Sequence, residues 1–105
     1  MMPLPDDVRP YRRTEVFTEH SVPKGLLQAH ATKSGVWAQI HVVEGNLAYR
    51  ITDGRRAPKQ TILSAGAPAG LVEPTILHEI EALGPVRFYV EFYRREPSQS
   101  DSVQE

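Results

Sequence analysis

The chain contains no cysteine. Disulfide staples, zinc–thiolate sites and thiol nucleophiles are therefore excluded, and the composition fits a reducing, cytoplasmic compartment. A dominant charge is also missing: 12 Lys and Arg stand against 13 Asp and Glu, for a net charge of −1. That balance gives no electrostatic basis for nucleic acid or an anionic membrane as a partner. Long apolar runs are absent as well, and none approaches the ~20 residues that span a bilayer. The start, Met1-Met2-Pro3-Leu4-Pro5-Asp6-Asp7, lacks the basic region and apolar stretch of a secretion signal, so none is expected. Several chemistries lack their sequence signatures too. There is no glycine-rich phosphate loop ahead of a helix, no nucleophile elbow and no His-Glu-x-x-His helix.

What is present is punctuation and alternation. Nine prolines and seven glycines cut the 105 residues into short pieces, and within the pieces apolar and polar residues alternate with the period of a strand. Strands are expected over Tyr11–Thr18, Gly25–Thr32, Val36–Val43, Leu47–Thr52, Gln60–Ser64, Leu71–Glu73, Leu77–Leu83 and Val86–Arg94. Glu44-Gly45-Asn46 is read as a hairpin connection, Gly84-Pro85 as a turn, and Asp53-Gly54-Arg55-Arg56-Ala57-Pro58 as an exposed polar turn. About eight short strands at such spacing predict an all-β antiparallel sandwich or barrel. Residues 1–10 form an N-terminal arm in this reading, 11–95 the single domain, and the polar stretch 96–105 a disordered tail.

Four histidines carry the titratable interest. His20 sits at a strand end, where a surface role is ordinary. His41 lies on a strand face with Trp37 and Gln39. His30 and His78 differ, because each falls inside a strand in a segment that otherwise reads as core, and Pro74 fixes how the chain runs into His78. Neutral imidazole ligates Zn, Fe, Ni and Cu, but two imidazoles need a third donor. Glu81, Glu91, Glu73 and His41 are the candidates. Strand parity puts His78 with Ile80 and turns Glu81 away unless a bulge intervenes. Glu91 shares the polar face of the last strand with Tyr89 and Tyr93. Two other readings stand beside a metal site. In one, a metal-free pocket holds a small molecule between Trp37, Tyr49, Tyr89 and the histidines. In the other, the histidines are interior residues of a domain that works through its surface, and the apolar alternation of Val36–Val43 and Val86–Phe92 allows a homodimer.

The runs His30-Ala31-Thr32-Lys33-Ser34-Gly35-Val36-Trp37, Val42-Val43-Glu44-Gly45-Asn46-Leu47-Ala48-Tyr49, Val72-Glu73-Pro74-Thr75-Ile76-Leu77-His78, Glu81-Ala82-Leu83 and Phe92-Tyr93 carry a resemblance. From about Tyr11 to Arg95, in order and spacing, the chain resembles the small cupin-like domain at the N-terminus of tellurite-resistance protein B and of free-standing proteins of the nitrate/nitrite-induced YeaR type. The resemblance implies a cupin-like double-stranded β-helix. It matches His30 and His78 to the histidines of the two core motifs and Glu81 to a carboxylate just after the second. The sequence departs from the general cupin pattern, with Thr32 in the second histidine slot and Trp37-Ala38 where a glutamate would stand. A three-histidine, one-glutamate cage is therefore not expected. Either His30, His78 and an acid (Glu81 or Glu91) hold a divalent metal such as Zn, Fe or Ni, or the pocket takes a small molecule or oxyanion without one, with Lys33 or Arg87 supplying charge. No organic cofactor is implied. The methyltransferase domain of the longer relatives has no room here, so methyl transfer is not expected. The resemblance implies an association with tellurite, oxidative or nitrogen-oxide stress and names no reaction.

Overall fold

The computed structural model describes residues 4–95; the tail expected over 96–105 lies outside them. Among the described residues the regular structure is β, apart from one 3-10 turn at Lys24–Leu27, and no helix is long and apolar enough to cross a membrane. The strands are β1 (Val8–Arg13), β2 (Phe17–Thr18), β3 (Trp37–Ile51), β4 (Lys59–Ser64), β5 (Gly70–Val72) and β6 (His78–Arg95). They join in one antiparallel sheet of order β1-β6-β3-β4, with β2 also on β6 and β5 also on β3.

The spine of the sheet is the pairing of β3 with β6, strands of 15 and 18 residues that run together from Trp37 opposite Tyr93 to Ile51 opposite His78. The hairpin expected at Glu44-Gly45-Asn46 and the turn expected at Gly84-Pro85 do not form. The turn-prone residues of both strands fall opposite one another, Gly45 facing Val86, so both strands bend together and neither reverses. Between Val42–Phe88 and Glu44–Arg87, β3 advances two residues while β6 advances one. Between Gly45–Val86 and Leu47–Ala82, β6 advances four while β3 advances two. These are bulges, the usual way of bending a sheet while keeping it paired.

The bulges set which side chains point inward. Side chains alternate faces along a strand, so one extra residue flips the face and two restore it. In β3 the inward residues are Ala38 and Ile40 before the bulge but Leu47 and Tyr49 after it. In β6 they are His78 and Ile80 before and Val86, Phe88 and Val90 after, with no change of parity. Gly45 makes the bend feasible. Its φ is +83°, and a Cβ there would lie 2.1 Å from the Pro85 carbonyl oxygen.

Two more expectations are corrected. The proposed arm is partly sheet: β1 starts at Val8, which is buried and pairs with Arg95. The strand expected over Gly25–Thr32 is instead a 3-10 turn. Pro23, at φ −60°, leads into it, and the Leu26 N–H donates to the Pro23 carbonyl at 3.0 Å. Beyond the turn, His30 alone of that stretch makes a strand-like pair, with His78. The core gathers on the inner face around Phe88, Leu47, Val72 and Val86, all fully buried. Phe17 of β2 sits opposite Phe88, ring centroids 5.6 Å apart. Each such burial stabilises by about 1.5–3 kcal/mol.

Gly45→Ala is expected to lower stability by about 3 kcal/mol or more, because the added methyl collides with backbone. Gly35→Ala, at φ +79° but with open space around it, is expected to lose only the left-handed backbone penalty of about 1–2 kcal/mol. Urea unfolding of the two variants checks this; equal losses would show that the Gly45–Pro85 approach does not constrain the fold.

Candidate functional site

His30 and His78 come together through the backbone. Each donates its N–H to the other's carbonyl at 2.9 Å, a reciprocal antiparallel bridge. The imidazole centroids are 4.2 Å apart and tilted by 57°. The edge of Tyr49 meets the His78 ring at 5.7 Å. Each ring is then oriented by its own chain: Nδ1 of His30 lies 2.9 Å from the Gln28 carbonyl, and Nδ1 of His78 lies 3.0 Å from that of Ile76. A carbonyl only accepts, so Nδ1 carries the proton in both rings. In the neutral form Nε2 is then a bare lone pair. Burial drives His78 down to about 4, with a smaller push from His30, so His78 is neutral at pH 7.

The segment leading to His78 is clamped. Asp53, expected in an exposed turn, is instead buried. Its carboxylate accepts from the Arg55 N–H and side chain at 2.8–2.9 Å and from the Leu77 N–H at 2.9 Å. Arg55 also donates to the carbonyl of Thr75, a non-glycine residue at φ +65°. The Thr75 N–H donates to Thr32 at 3.1 Å, which ties the two histidine segments together a second time. The Arg55 guanidinium, with the Leu77 and Arg55 N–H groups, holds the Asp53 carboxyl far below the usual carboxylate range. An aspartate bonding the N–H two residues on is the sequence sign of such a turn; the adjacent charges Arg55 and Arg56 obscured it.

The two histidines line a cavity of about 460 Å³, within the range of small-molecule sites. Its walls are mostly apolar, including Phe17, Leu26, Ile40, Val72, Val90 and Phe92. Lys33 is among its lining residues. Arg12 lines it too and was missed, since Tyr11-Arg12-Arg13 shows no alternation from which to tell inward from outward. No aspartate or glutamate is among the described lining residues.

The other candidates lie elsewhere. Glu81 is exposed and pairs with Arg50, which also reaches Glu79. Glu73 pairs with Arg56 at 2.9 Å, and Arg87 with Glu44 at 3.6 Å. Glu91 and Tyr89 face the opposite side of β6 from His78. There Tyr93 and Arg13 hydrogen-bond Glu91 at 2.8 and 3.3 Å and hold its carboxyl low. His41 stacks on Tyr89 at 4.9 Å and keeps 4.0 Å from Glu91. Trp37 belongs to the same outer face, opposite Tyr93. Tyr49 is inward, but its hydroxyl donates to the Leu71 carbonyl at 2.7 Å and it lines a second hollow rather than the histidine cavity.

Neutral imidazole with Nδ1–H tied to a carbonyl is the form in which histidine ligates a metal. The kind of donor fits; the number does not. Among the described residues no group of three or more His, Asp or Glu side chains is placed to hold a metal ion, so the protein alone does not supply a structural shell.

Two predictions follow from this geometry. In metal-free buffer, a folded-state value near 4 for His78 against 6.5 in the unfolded chain makes its contribution complete above pH 6.5 and lost as pH falls toward 4, by about 3 kcal/mol at most. His78→Gln should flatten the pH dependence of the urea midpoint in that window; an unchanged slope contradicts burial of a neutral ring. Asp53→Asn should destabilise at neutral pH, with the difference from wild type closing as acid protonates Asp53. A deficit that persists undiminished at acid pH would show that the charge is not what matters.

Residues 12–90 match the TehB-like domain family. A probable S-adenosyl-L-methionine-dependent methyltransferase, TehB of Haemophilus influenzae, is 30% identical over 74 residues, covering 70% of this chain and 26% of that protein. The chain thus spans about a quarter of the length of the curated relative. The crystal structure of H. influenzae TehB aligns with a TM-score of 0.78 at 24% identity, over 86% of this chain and 32% of that one. A protein of E. coli strain K12 aligns with a TM-score of 0.80 at 23% identity, over 92% of this chain and all of that one. More distantly, hydroxypropylphosphonic acid epoxidase from S. wedmorenis shares the fold at a TM-score of 0.53 and 18% identity, over 81% of this chain and 42% of that one. The antiparallel sheet bent around the histidine cavity is a cupin-like double-stranded β-helix, and the chain belongs to the TehB-like domain family.

Proposed function

We propose that this domain binds a small anion, an oxyanion or organic acid, in the cavity closed by His30 and His78. The observation that carries the reading is the cavity's charge pattern: two cationic side chains, two imidazoles and no carboxylate among its described lining residues. A pocket so lined favours negative charge, and partial removal from water strengthens the attraction. The bare Nε2 of His78 adds an acceptor for a hydroxyl or amine of the ligand. The stress association implied by the family resemblance puts tellurite, nitrate and nitrite among the anions to try.

A second reading is supported by the tautomers. A divalent ion such as Zn, Fe or Ni would be held by His30 and His78, with the bound anion and water completing its shell. Such an ion would supply a fixed positive charge beside the ligand. The chain's own part is to hold the Nδ1–H of each ring on a backbone carbonyl and leave Nε2 as the donor atom.

Thermal shift separates these readings. An anion at 100 times its Kd stabilises by about 2.7 kcal/mol, several degrees for a domain of this size. Stabilisation in EDTA by tellurite, nitrate or small carboxylates, reduced in Lys33→Ala, is the expected result. Stabilisation by zinc or nickel salts that EDTA reverses and His30→Ala abolishes favours the second reading. No shift with any anion, with or without metal, overturns the proposal.

A further inference from the structure

Arg12 differs from every other described arginine. Arg9 donates to backbone carbonyls, Arg13 pairs with Glu91, Arg50 with Glu79 and Glu81, Arg55 with Asp53, and Arg56 with Glu73. Arg87 pairs with Glu44, Arg95 with Asp7, and Arg94 lies over the Tyr11 ring. The Arg12 side chain has no hydrogen bond, ion pair or ring contact among the described residues, yet it lines the histidine cavity. Its placement follows from β1. The ladder with β6 is irregular between Pro10 and Arg12, and Arg12 falls opposite the inward Phe92. The next residue, Arg13, falls opposite Glu91 and joins the outer cluster. The neighbouring arginines Arg12 and Arg13 thus go to opposite faces, and of the two Arg13 has a carboxylate partner among the described residues whereas Arg12 has none.

The cavity is graded from mouth to floor. Arg12 and Lys33 are exposed at its mouth, whereas His78 is buried, and Ile40, Val72 and Ile80 beside it are buried and apolar. An inorganic oxyanion filling this space would give up water for hydrocarbon walls with few donors. An organic acid would keep its charge at the wet mouth, where pairing does not require full desolvation, and would bury its body against the walls. A planar guanidinium matches a carboxylate with two parallel N–H donors, which an ammonium cannot do.

We infer that Arg12 is the carboxylate-binding residue of this pocket and that the occupant is a monocarboxylic acid with a compact apolar body. The inference rests on the cavity being an anion site. It narrows that reading from anions in general to organic carboxylates, and it makes Arg12 the residue that sets specificity.

Titration calorimetry in EDTA with benzoate and hexanoate, against benzamide, hexanamide, nitrate and tellurite, tests it. At least one acid should bind about tenfold or more tighter than its amide and than either inorganic anion. Arg12→Gln should weaken that acid about tenfold or more, Arg12→Lys should restore only part, and Arg87→Gln, outside the cavity, should change nothing. Arg12 is exposed, so the variant folds, and its urea midpoint serves as the check. Unchanged acid affinity in Arg12→Gln, or tighter binding of nitrate or tellurite than of either acid, overturns the inference while the anion site stands. Binding of none of these anions brings down the anion site itself.

Discussion

The structure depends on β3 and β6 staying paired through their own irregularities. Two strands of 15 and 18 residues would form an elongated twisted ribbon if their hydrogen bonding were regular. The bulges around Val43 and Leu83–Pro85 bend both strands at one place, and glycine at position 45 lets the Pro85 carbonyl approach. Because the bulge in β3 flips the inward face and that in β6 does not, the halves of the sheet on either side of the bend turn compatible apolar faces toward one core. His78, at the first residue of β6, is thereby buried and inward. Phe92, fourteen residues further along the same strand, lines the same cavity.

Polarity within that cavity follows from where backbone groups find partners. The segment before His78 does not continue a strand, so its carbonyls and N–H groups need other partners. His30, Thr32, Asp53 and Arg55 provide them. The remaining carbonyls of Gln28 and Ile76 take the Nδ1 protons of the two imidazoles. The same hydrogen bonds that fix the chain therefore fix the tautomers, and the bare Nε2 atoms follow from local backbone geometry rather than from a separate device. Carboxylates are spent elsewhere: Glu73, Glu81 and Glu91 are each engaged by arginine. The pocket is left with two cations, Arg12 and Lys33, that have no carboxylate partner among the described residues.

Much of the fold was legible because alternation is a local property. The grouping of Val86, Phe88, Val90 and Phe92 on one face and of Tyr89 and Glu91 on the other can be read directly from the sequence; which face turns inward cannot, and so Tyr89 and Glu91 stood among the site candidates although they lie on the outer face. The hairpin and the turn were misread because Glu44-Gly45-Asn46 and Gly84-Pro85 have turn chemistry, and only their mutual pairing, a contact across some forty positions, makes them bulges. Gly25–Thr32 misled for a related reason. Its apolar alternation is genuine, but Pro23 sets a tighter local turn. At the site, His30 and His78 stood out as polar residues in apolar segments. Arg12 and Asp53 did not, because a charged residue in a charged stretch gives no sign of facing inward. Their roles emerge only when the register of β1 and the N–H of Leu77 are known.

The central claim is that His30 and His78 are held side by side with each Nδ1–H on a backbone carbonyl, which leaves Nε2 bare in the neutral ring, and that both rings line one cavity. Long-range proton–nitrogen correlation NMR on nitrogen-labelled protein, in EDTA at about pH 8, where histidine is ordinarily neutral, reads this directly. The account predicts pyrrole-type Nδ1 and pyridine-type Nε2 shifts for both rings, with His78 keeping that pattern on acidification well below the ordinary histidine range. A pyridine-type Nδ1 on either ring, or a His78 that protonates near 6.5, would contradict it.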